Sequence, residues 1–128
     1  MNEEKVFQPN LTTELIISSS QKFLSRNEIS SYLELGCGCG EITFQNILNM
    51  NAKKVVITDI GSKAIEIASK RFDDVGRKVD ARIGNLFEPI NKDERFDLII
   101  SDVAAISNIF LNKTDWYDGV SCETGEDG

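Results

Sequence analysis

The sequence predicts an α/β fold in which helices cover a mostly parallel sheet. Three observations predict it: a buried-strand pattern at residues 32–35, glycines at alternate positions from residue 36 to residue 40, and an apolar strand pattern at residues 54–59. A strand, a glycine-rich turn and a helix form the first unit of nucleotide-type α/β folds. Strands that are apolar throughout are typical of parallel sheets covered on both faces. A chain of 128 residues can form one such domain but not two.

The predicted elements begin with a helix and continue as strands and helices. The first helix is predicted from Asn10 to Ser25, and Asn10 or Thr12 can cap it. Its apolar stripe includes Leu15 and Phe23. Right-handed crossovers are expected to join the later strands. Those strands are residues 32–35, 54–59, 79–83 and 96–101. Two helices lie between them, the first at residues 42–50. The second starts at Gly61-Ser62, with Ser62 as its cap, and stops at Gly76.

The remaining segments carry weaker patterns. Residues 88–95 are expected to hold no more than one helical turn between the third and fourth strands. Residues 1–31 form an N-terminal helical lead-in, and residues 114–128 form a polar tail. The whole chain, residues 1–128, is therefore expected to be a single domain.

The charge and composition limit the classes of partner and site. The net charge is −7, so the chain has no general attraction to nucleic acid, and we expect no nucleic-acid partner. Histidine is absent from the sequence, which removes the commonest general base and metal ligand. Cys37 and Cys39 have only Cys122 to complete a ligand set, so we expect no metal. Three cysteines and no signal-peptide or membrane-span pattern lead us to expect a cytoplasmic protein without membrane contact.

The glycines at 36, 38 and 40 are the strongest functional signal. They let a ligand approach the backbone closely, although a packing role in an ordinary turn is the alternative. The dinucleotide fingerprint G-x-G-x-x-G places its third glycine where Glu41 stands, and a carboxylate there would repel a pyrophosphate. With Glu34 before the loop, the pattern favours a ligand that carries a positive charge and no phosphate.

Polar side chains follow the later strands at the edge where open α/β sheets bind ligands. Asp59 ends the second strand and can accept both hydroxyls of a ribose; an ordinary loop acid or helix cap is the alternative. Asn85 and Leu86 follow the third strand and can contact an adenine, unless Leu86 and Phe87 are simply buried in a loop. Asp102 follows the fourth strand, where a solvated loop acid is the alternative.

These residues together resemble a known family. Residues 33–40, Leu-Glu-Leu-Gly-Cys-Gly-Cys-Gly, are similar to motif I of the class I S-adenosylmethionine-dependent methyltransferases. Asp59 matches the family's ribose-binding position, and Asn85 its adenine-edge position. Residues 6–15 and 84–89 are similar to segments of the HemK-like branch, which includes the release-factor glutamine methyltransferases. The first segment resembles P-R-x-x-T-E, with matches at Pro9, Thr13, Glu14 and Leu15 and with Asn10 in place of the arginine.

The resemblance implies a Rossmann-like class I methyltransferase fold, of which this chain has the N-terminal helix and the first four strands. It implies S-adenosylmethionine as cofactor and S-adenosylhomocysteine as product. Asp102 is expected to orient or deprotonate the methyl acceptor. The residues expected to bind the cofactor are Thr13, Glu34, Gly36, Cys37, Gly38, Gly40, Asp59, Ile60, Asn85 and Leu86.

Two departures from the branch affect the expected function. Its N-P-P-Y motif after the fourth strand is replaced by residues 101–105, Ser-Asp-Val-Ala-Ala, so the acceptor, a small molecule or a protein, is not specified. The family fold continues through three more strands, so the chain is expected to be truncated after strand four and to expose that strand's edge to a second copy or a partner. A non-catalytic cofactor-binding or scaffold subunit is the alternative function. A nicotinamide-dependent oxidoreductase is disfavoured by Glu41.

Overall fold

The computed structural model describes residue 6 and residues 8–102, so the predicted polar tail lies outside the described residues. In chain order the elements are α1 (Leu11–Leu24), β1 (Ser31–Leu35), α2 (Glu41–Ile47), β2 (Lys54–Asp59), α3 (Ser62–Asp74), β3 (Asp80–Ile83) and β4 (Leu98–Ser101). Within these residues, none of the helices combines the length and the hydropathy that crossing a membrane requires.

The four strands form one parallel sheet in the order β3-β2-β1-β4, which confirms the predicted fold class. Leu35 at the end of β1 pairs with Thr58 of β2 and with Ser101 of β4. The carboxyl ends of the strands therefore meet at one edge of the sheet. The loops that follow them carry the glycines and the acids that the sequence singles out.

The helix α1 is capped by Asn10, the first of the two predicted caps, and the alternative cap, Thr12, lies within the helix. The Asn10 side chain accepts from the Thr13 backbone N–H, and the Thr13 hydroxyl oxygen accepts from the Asn10 N–H, each over 3.2 Å. The predicted apolar stripe is partly wrong, because Leu15 is 67% exposed while Ser20 is buried. A polar residue on the buried face of α1 indicates a buried hydrogen-bonding partner.

The ends of α2 and α3 agree only in part with the predicted ends. The helix α2 ends at Ile47, before the predicted Met50. The predicted cap of α3 at Ser62 is wrong: Gly61 is the cap residue, and Asp59 accepts its backbone N–H. Gly76 ends α3 as predicted, with a φ of +67° that favours glycine. In the described segment between β3 and β4 we find turns and no helix.

The two faces of the sheet are covered differently. All three helices pack on one face, against buried residues that include Tyr32 and Ile57. Leu33, Leu35 and Val56 lie on the other face, against Ile90 and Phe96 of the segment between β3 and β4. That segment is fixed by Glu94, which forms ion pairs with Arg82 and Lys54. The ion pairs thus hold in place the segment that also contains Asn85 and Leu86.

Candidate functional site

The loop after β1 has a backbone that requires glycine. Gly36, Gly38 and Gly40 have φ values of +68°, +54° and +83°, a region that other residues enter only with strain. The loop is tied to β2 by a 2.9 Å hydrogen bond from the Cys37 N–H to the Thr58 carbonyl. A packing role also holds for Gly40, since a Cβ there would lie 3.2 Å from Ala68 and from the Phe72 ring.

Asp59 joins this loop to the start of α3. One carboxylate oxygen accepts the N–H of Gly38 and the other accepts the N–H of Gly61, each over 2.8 Å. A carboxylate oxygen has two lone pairs, so each keeps the capacity to accept a further hydroxyl. The structure therefore brings Asp59 to the second glycine of the loop, at the half-buried end of β2.

Glu34 lies beneath the loop and is only 1% exposed. Its Oε1 accepts two hydrogen bonds from Thr43, 3.2 Å from the backbone N–H and 2.7 Å from the hydroxyl. Burial raises the pKa of Glu34 to about 8, and the nearby charges of Asp102 and Asp59 add to the increase. Among the described residues, Oε2 of Glu34 has no hydrogen-bond donor.

Three carboxyl groups converge on the glycine loop from separate strands: Glu34 from β1, Asp59 from β2 and Asp102 after β4. Asp102 is half-buried, and desolvation raises its pKa. Convergent carboxylates produce a negative potential that favours a cation over a phosphate. Within the part of the chain that the structure describes, no group of three or more acids and cysteines is arranged to hold a metal ion.

Apolar side chains lie beside Asp59 on the loops after β2 and β3. Ile60 is exposed, and Leu86 and Phe87 are 44% and 54% exposed, so the alternative of a loop with buried Leu86 and Phe87 is wrong. The loop is held near Asp59, whose carbonyl accepts the Gly84 N–H over 3.0 Å. Leu86 has a φ of +49°, a strained value for a leucine, and such strain is frequent at ligand sites. Asn85 is exposed on the same loop.

Three residues have surroundings that their sequence positions did not predict. The Thr13 side chain serves the cap of α1, and among the described residues its hydrogen bonds reach Asn10 alone. The Cys37 side chain is buried in the core, where burial raises the pKa of its thiol, and the thiol donates to the Gly38 carbonyl over 3.5 Å. Glu41 pairs with Arg71 over 2.7 Å, so its charge is neutralised locally. This ion pair weakens the predicted repulsion of a pyrophosphate by Glu41.

The sequence reasoning missed Thr43, the third residue of α2. The cap residue of α2 is Gly40, which has no side chain to accept from the first backbone amides of the helix. The Glu34 carboxyl group takes that role by accepting the Thr43 N–H. A glycine cap six residues after a strand acid was the sequence signal that could have revealed this contact.

Comparison with known sequences identifies a family and its relatives. A family model described as a methyltransferase domain matches residues 27–120. The release factor glutamine methyltransferase of Bordetella pertussis is 28% identical over 97 residues, which are 76% of this chain and 36% of that protein. A bifunctional methyltransferase of Rickettsia felis is 38% identical over 97 residues, 72% of this chain and 18% of that protein. The chain thus spans about a third or less of the length of these relatives.

Solved structures share the fold. The ribosomal protein L11 methylase of Lactobacillus delbrueckii subsp. bulgaricus has a TM-score of 0.64 and 20% identity, over 82% of this chain and 52% of that one. The plantazolicin methyltransferase BpumL, in a complex that contains SAH, has a TM-score of 0.62 and 18% identity, over 87% of this chain and 45% of that one. These similarities confirm the Rossmann-like fold, and the sequence relatives confirm the resemblance to the release-factor glutamine methyltransferases.

Proposed function

This chain belongs to the methyltransferase domain family, and on that premise we propose that it binds S-adenosylmethionine and transfers its methyl group to an acceptor. The observation that carries the proposal is the convergence of Glu34, Asp59 and Asp102 on the glycine loop. Carboxyl groups at this point match a ligand with a sulfonium and an ammonium group, because a bound cation favours the ionised form of Glu34, whose pKa is otherwise raised to about 8. The names of the relatives, all methyltransferases, support the same reaction class.

Each part of the cofactor has a matching group in the site. The backbone of residues 36–40, including Cys37, contacts the methionine part, and Glu34 attracts its ammonium group. Asp59 accepts the ribose hydroxyls with the lone pairs that Gly38 and Gly61 leave free. The exposed side chains of Ile60 and Leu86 contact the adenine faces, and Asn85 contacts its edge. We keep Thr13 outside this set because its hydroxyl serves the helix cap.

Asp102 is the residue we propose to act on the acceptor. Bound S-adenosylmethionine supplies an electrophilic methyl group, so the protein's main task is to align a nucleophile with it. Asp102 lies at the end of β4, and its raised pKa brings the carboxyl group closer to the range in which it can take a proton from a nucleophile. The acceptor is a small molecule or a protein; the names of several relatives specify a glutamine of a release factor for those proteins.

Isothermal titration with S-adenosylhomocysteine tests the binding half of the proposal. We expect saturable binding by the full 128-residue chain, loss of binding in Asp59→Ala, and no binding of oxidised nicotinamide adenine dinucleotide. Absence of binding at about 1 mM S-adenosylhomocysteine, a concentration at which even a weak ligand of about −4 kcal/mol is half bound, would overturn it.

We also propose a cytoplasmic location and an association through the edge of β4. Cys37 and Cys39 are free thiols, which is typical of a reducing compartment. Among the described residues, β4 pairs with β1 alone, and Ile99 is 48% exposed. An open strand edge with an exposed apolar residue favours pairing with a second copy or another chain. The same edge is what a non-catalytic scaffold subunit would use.

A further inference from the structure

A buried chain of polar side chains connects α1 with Glu34. It crosses the interface between α1 and α2 and reaches β1, and all of its members are buried. The distances are 2.9 Å from Asn46 Nδ2 to Ser20 Oγ, 3.4 Å from Asn46 Nδ2 to Tyr32 Oη, 3.0 Å from Thr43 Oγ1 to Tyr32 Oη, and 2.7 Å from Thr43 Oγ1 to Glu34 Oε1.

The protons in this chain have a defined direction when Glu34 is ionised. A carboxylate can only accept, so the single hydroxyl proton of Thr43 is donated to Glu34. The Tyr32 hydroxyl must then donate to Thr43 Oγ1, and its oxygen accepts from the Asn46 amide. From Asn46 through Tyr32 to Thr43, these donors are directed toward the carboxylate, which offsets part of the cost of burying its charge.

We propose that Thr43 is a positioning residue for the ammonium end of the bound cofactor. It occupies Oε1 of Glu34 with two hydrogen bonds and so fixes the carboxyl group, which leaves Oε2 for the ligand. Tyr32 and Asn46 hold the Thr43 hydroxyl in turn, and Ser20 extends the chain to α1. This inference rests on the proposed function, because it specifies how that same site binds its cation.

The charges around Glu34 make this contact depend on pH. Asp102 after β4 and Asp59 at the end of β2 are both acidic and disfavour a second negative charge. Tyr32 and Cys37 are buried beside it, and burial raises the pKa of both, so they remain neutral. Among the described ion pairs none involves Glu34. A bound ammonium group would supply the missing positive charge, so binding releases a proton from Glu34 and tightens as the pH rises from 6 to about 8.

Two ligands separate the ammonium contact from the rest of the site. S-adenosylhomocysteine has the amino-acid end, whereas 5′-methylthioadenosine lacks it and has the same nucleoside. We expect Thr43→Val to weaken binding of the first about tenfold, the effect of one hydrogen bond to a charged group, and to leave the second unchanged. Thr43→Ser keeps the hydroxyl and should restore the wild-type ratio. The matched control is Thr58→Val, because Thr58 is equally buried and its hydroxyl lies 3.4 Å from the carbonyl of Leu86 and not at Glu34. This variant should leave the ratio of the two affinities unchanged.

A pH profile supplies a second readout that loss of stability alone would not move. The Thr43 hydrogen bonds lower the pKa of Glu34, so Thr43→Val should shift the rise in S-adenosylhomocysteine affinity to higher pH. If Thr43→Val does not fold, Tyr32→Phe removes only the hydroxyl that holds Thr43 in place. It should change the ratio of the two ligand affinities in the same direction by about threefold.

Three results would count against the inference. The inference is overturned, while the proposed function stands, if Thr43→Val weakens the binding of both ligands equally. The same holds if the variant changes neither the ratio of the two affinities nor the pH profile. If the wild-type chain binds neither ligand, the proposed function fails and this inference fails with it.

Discussion

Glu34 shows how burial and hydrogen bonding compete at one residue. Desolvation is the larger effect, and it raises the pKa of the carboxyl group to about 8 although two Thr43 donors act to lower it. The folded protein therefore retains a proton that the unfolded chain loses near pH 4.5. Because the folded state binds more protons between these two values, the contribution of Glu34 to stability decreases as the pH rises through that window.

Glu34→Gln should remove this pH dependence. The amide is never ionised. As the pH rises from 5 to 8, we therefore expect the unfolding free energy of the variant to increase by about 2 kcal/mol relative to that of the wild type, about half the nominal linkage value. Urea denaturation at both pH values measures the difference. An identical difference at pH 5 and pH 8 would mean that Glu34 ionises at its ordinary pKa. The same variant should bind S-adenosylhomocysteine more weakly, which separates the needs of the fold from those of the site.

At the scale of elements, the junction between the glycine loop and α2 is fixed by α3. Gly40 combines a left-handed φ with close approach to Ala68 and Phe72. Arg71 of α3 also reaches α2, where it pairs with Glu41 and lies 4.1 Å above the Phe44 ring. The helix that follows β2 therefore supports the loop that follows β1.

Gly40→Ala should be more destabilising than the same change at the end of α3. Both positions have positive φ, +83° at Gly40 and +67° at Gly76, which costs about 1 kcal/mol for alanine in either place. Only Gly40 adds overpacking, since nothing lies within 4 Å of a Cβ at Gly76. We expect a total cost of about 2–4 kcal/mol at Gly40, measured by urea denaturation. Equal costs at the two glycines would show that α3 yields to the added methyl group.

The elements that the sequence predicted well are those set by local chemistry. The strand β2 has the predicted bounds, Lys54–Asp59, because its apolar run is unbroken. The three loop glycines follow from their spacing, and Asp59 follows from its place at a strand end. Contacts between distant elements could not be read in this way: the Glu41–Arg71 pair and the Glu34–Thr43 bonds depend on how helices pack on the sheet. The Ser62 cap was wrong for a local reason: Gly61 is the cap residue, and its N–H is accepted by Asp59 two residues earlier.

The whole molecule is asymmetric about its sheet. Helices cover one face, and among the described residues the other face is covered by the segment between β3 and β4. Ile99 lies on that second face at the β4 edge and is half-exposed. Among the described residues, no strand pairs with the backbone N–H and C=O groups of β4 on the side away from β1.

Ile99→Lys tests whether the β4 edge mediates association. If it does, light scattering after size-exclusion chromatography should show a multimer for the wild-type chain and a lower mass for the variant, since edge lysines oppose strand pairing. Leu15→Lys is the matched control, because Leu15 is an exposed apolar residue on α1 and its replacement should leave the mass unchanged. A wild-type chain that elutes as a monomer would refute the proposed association and also disfavour the scaffold function.

The two hydrogen bonds that Asp59 accepts from backbone amides bear on how fast a ligand can be captured. The carboxylate that we propose to bind a ribose already accepts hydrogen bonds from the amides of Gly38 and Gly61. The loop and the start of α3 therefore become rigid when the chain folds. The entropy of ordering the loop is then lost during folding and not at the encounter with the ligand. If the proposed assignment of Asp59 to the ribose is correct, capture of the nucleoside end requires no prior loop closure, and we expect its rate to be limited by diffusion.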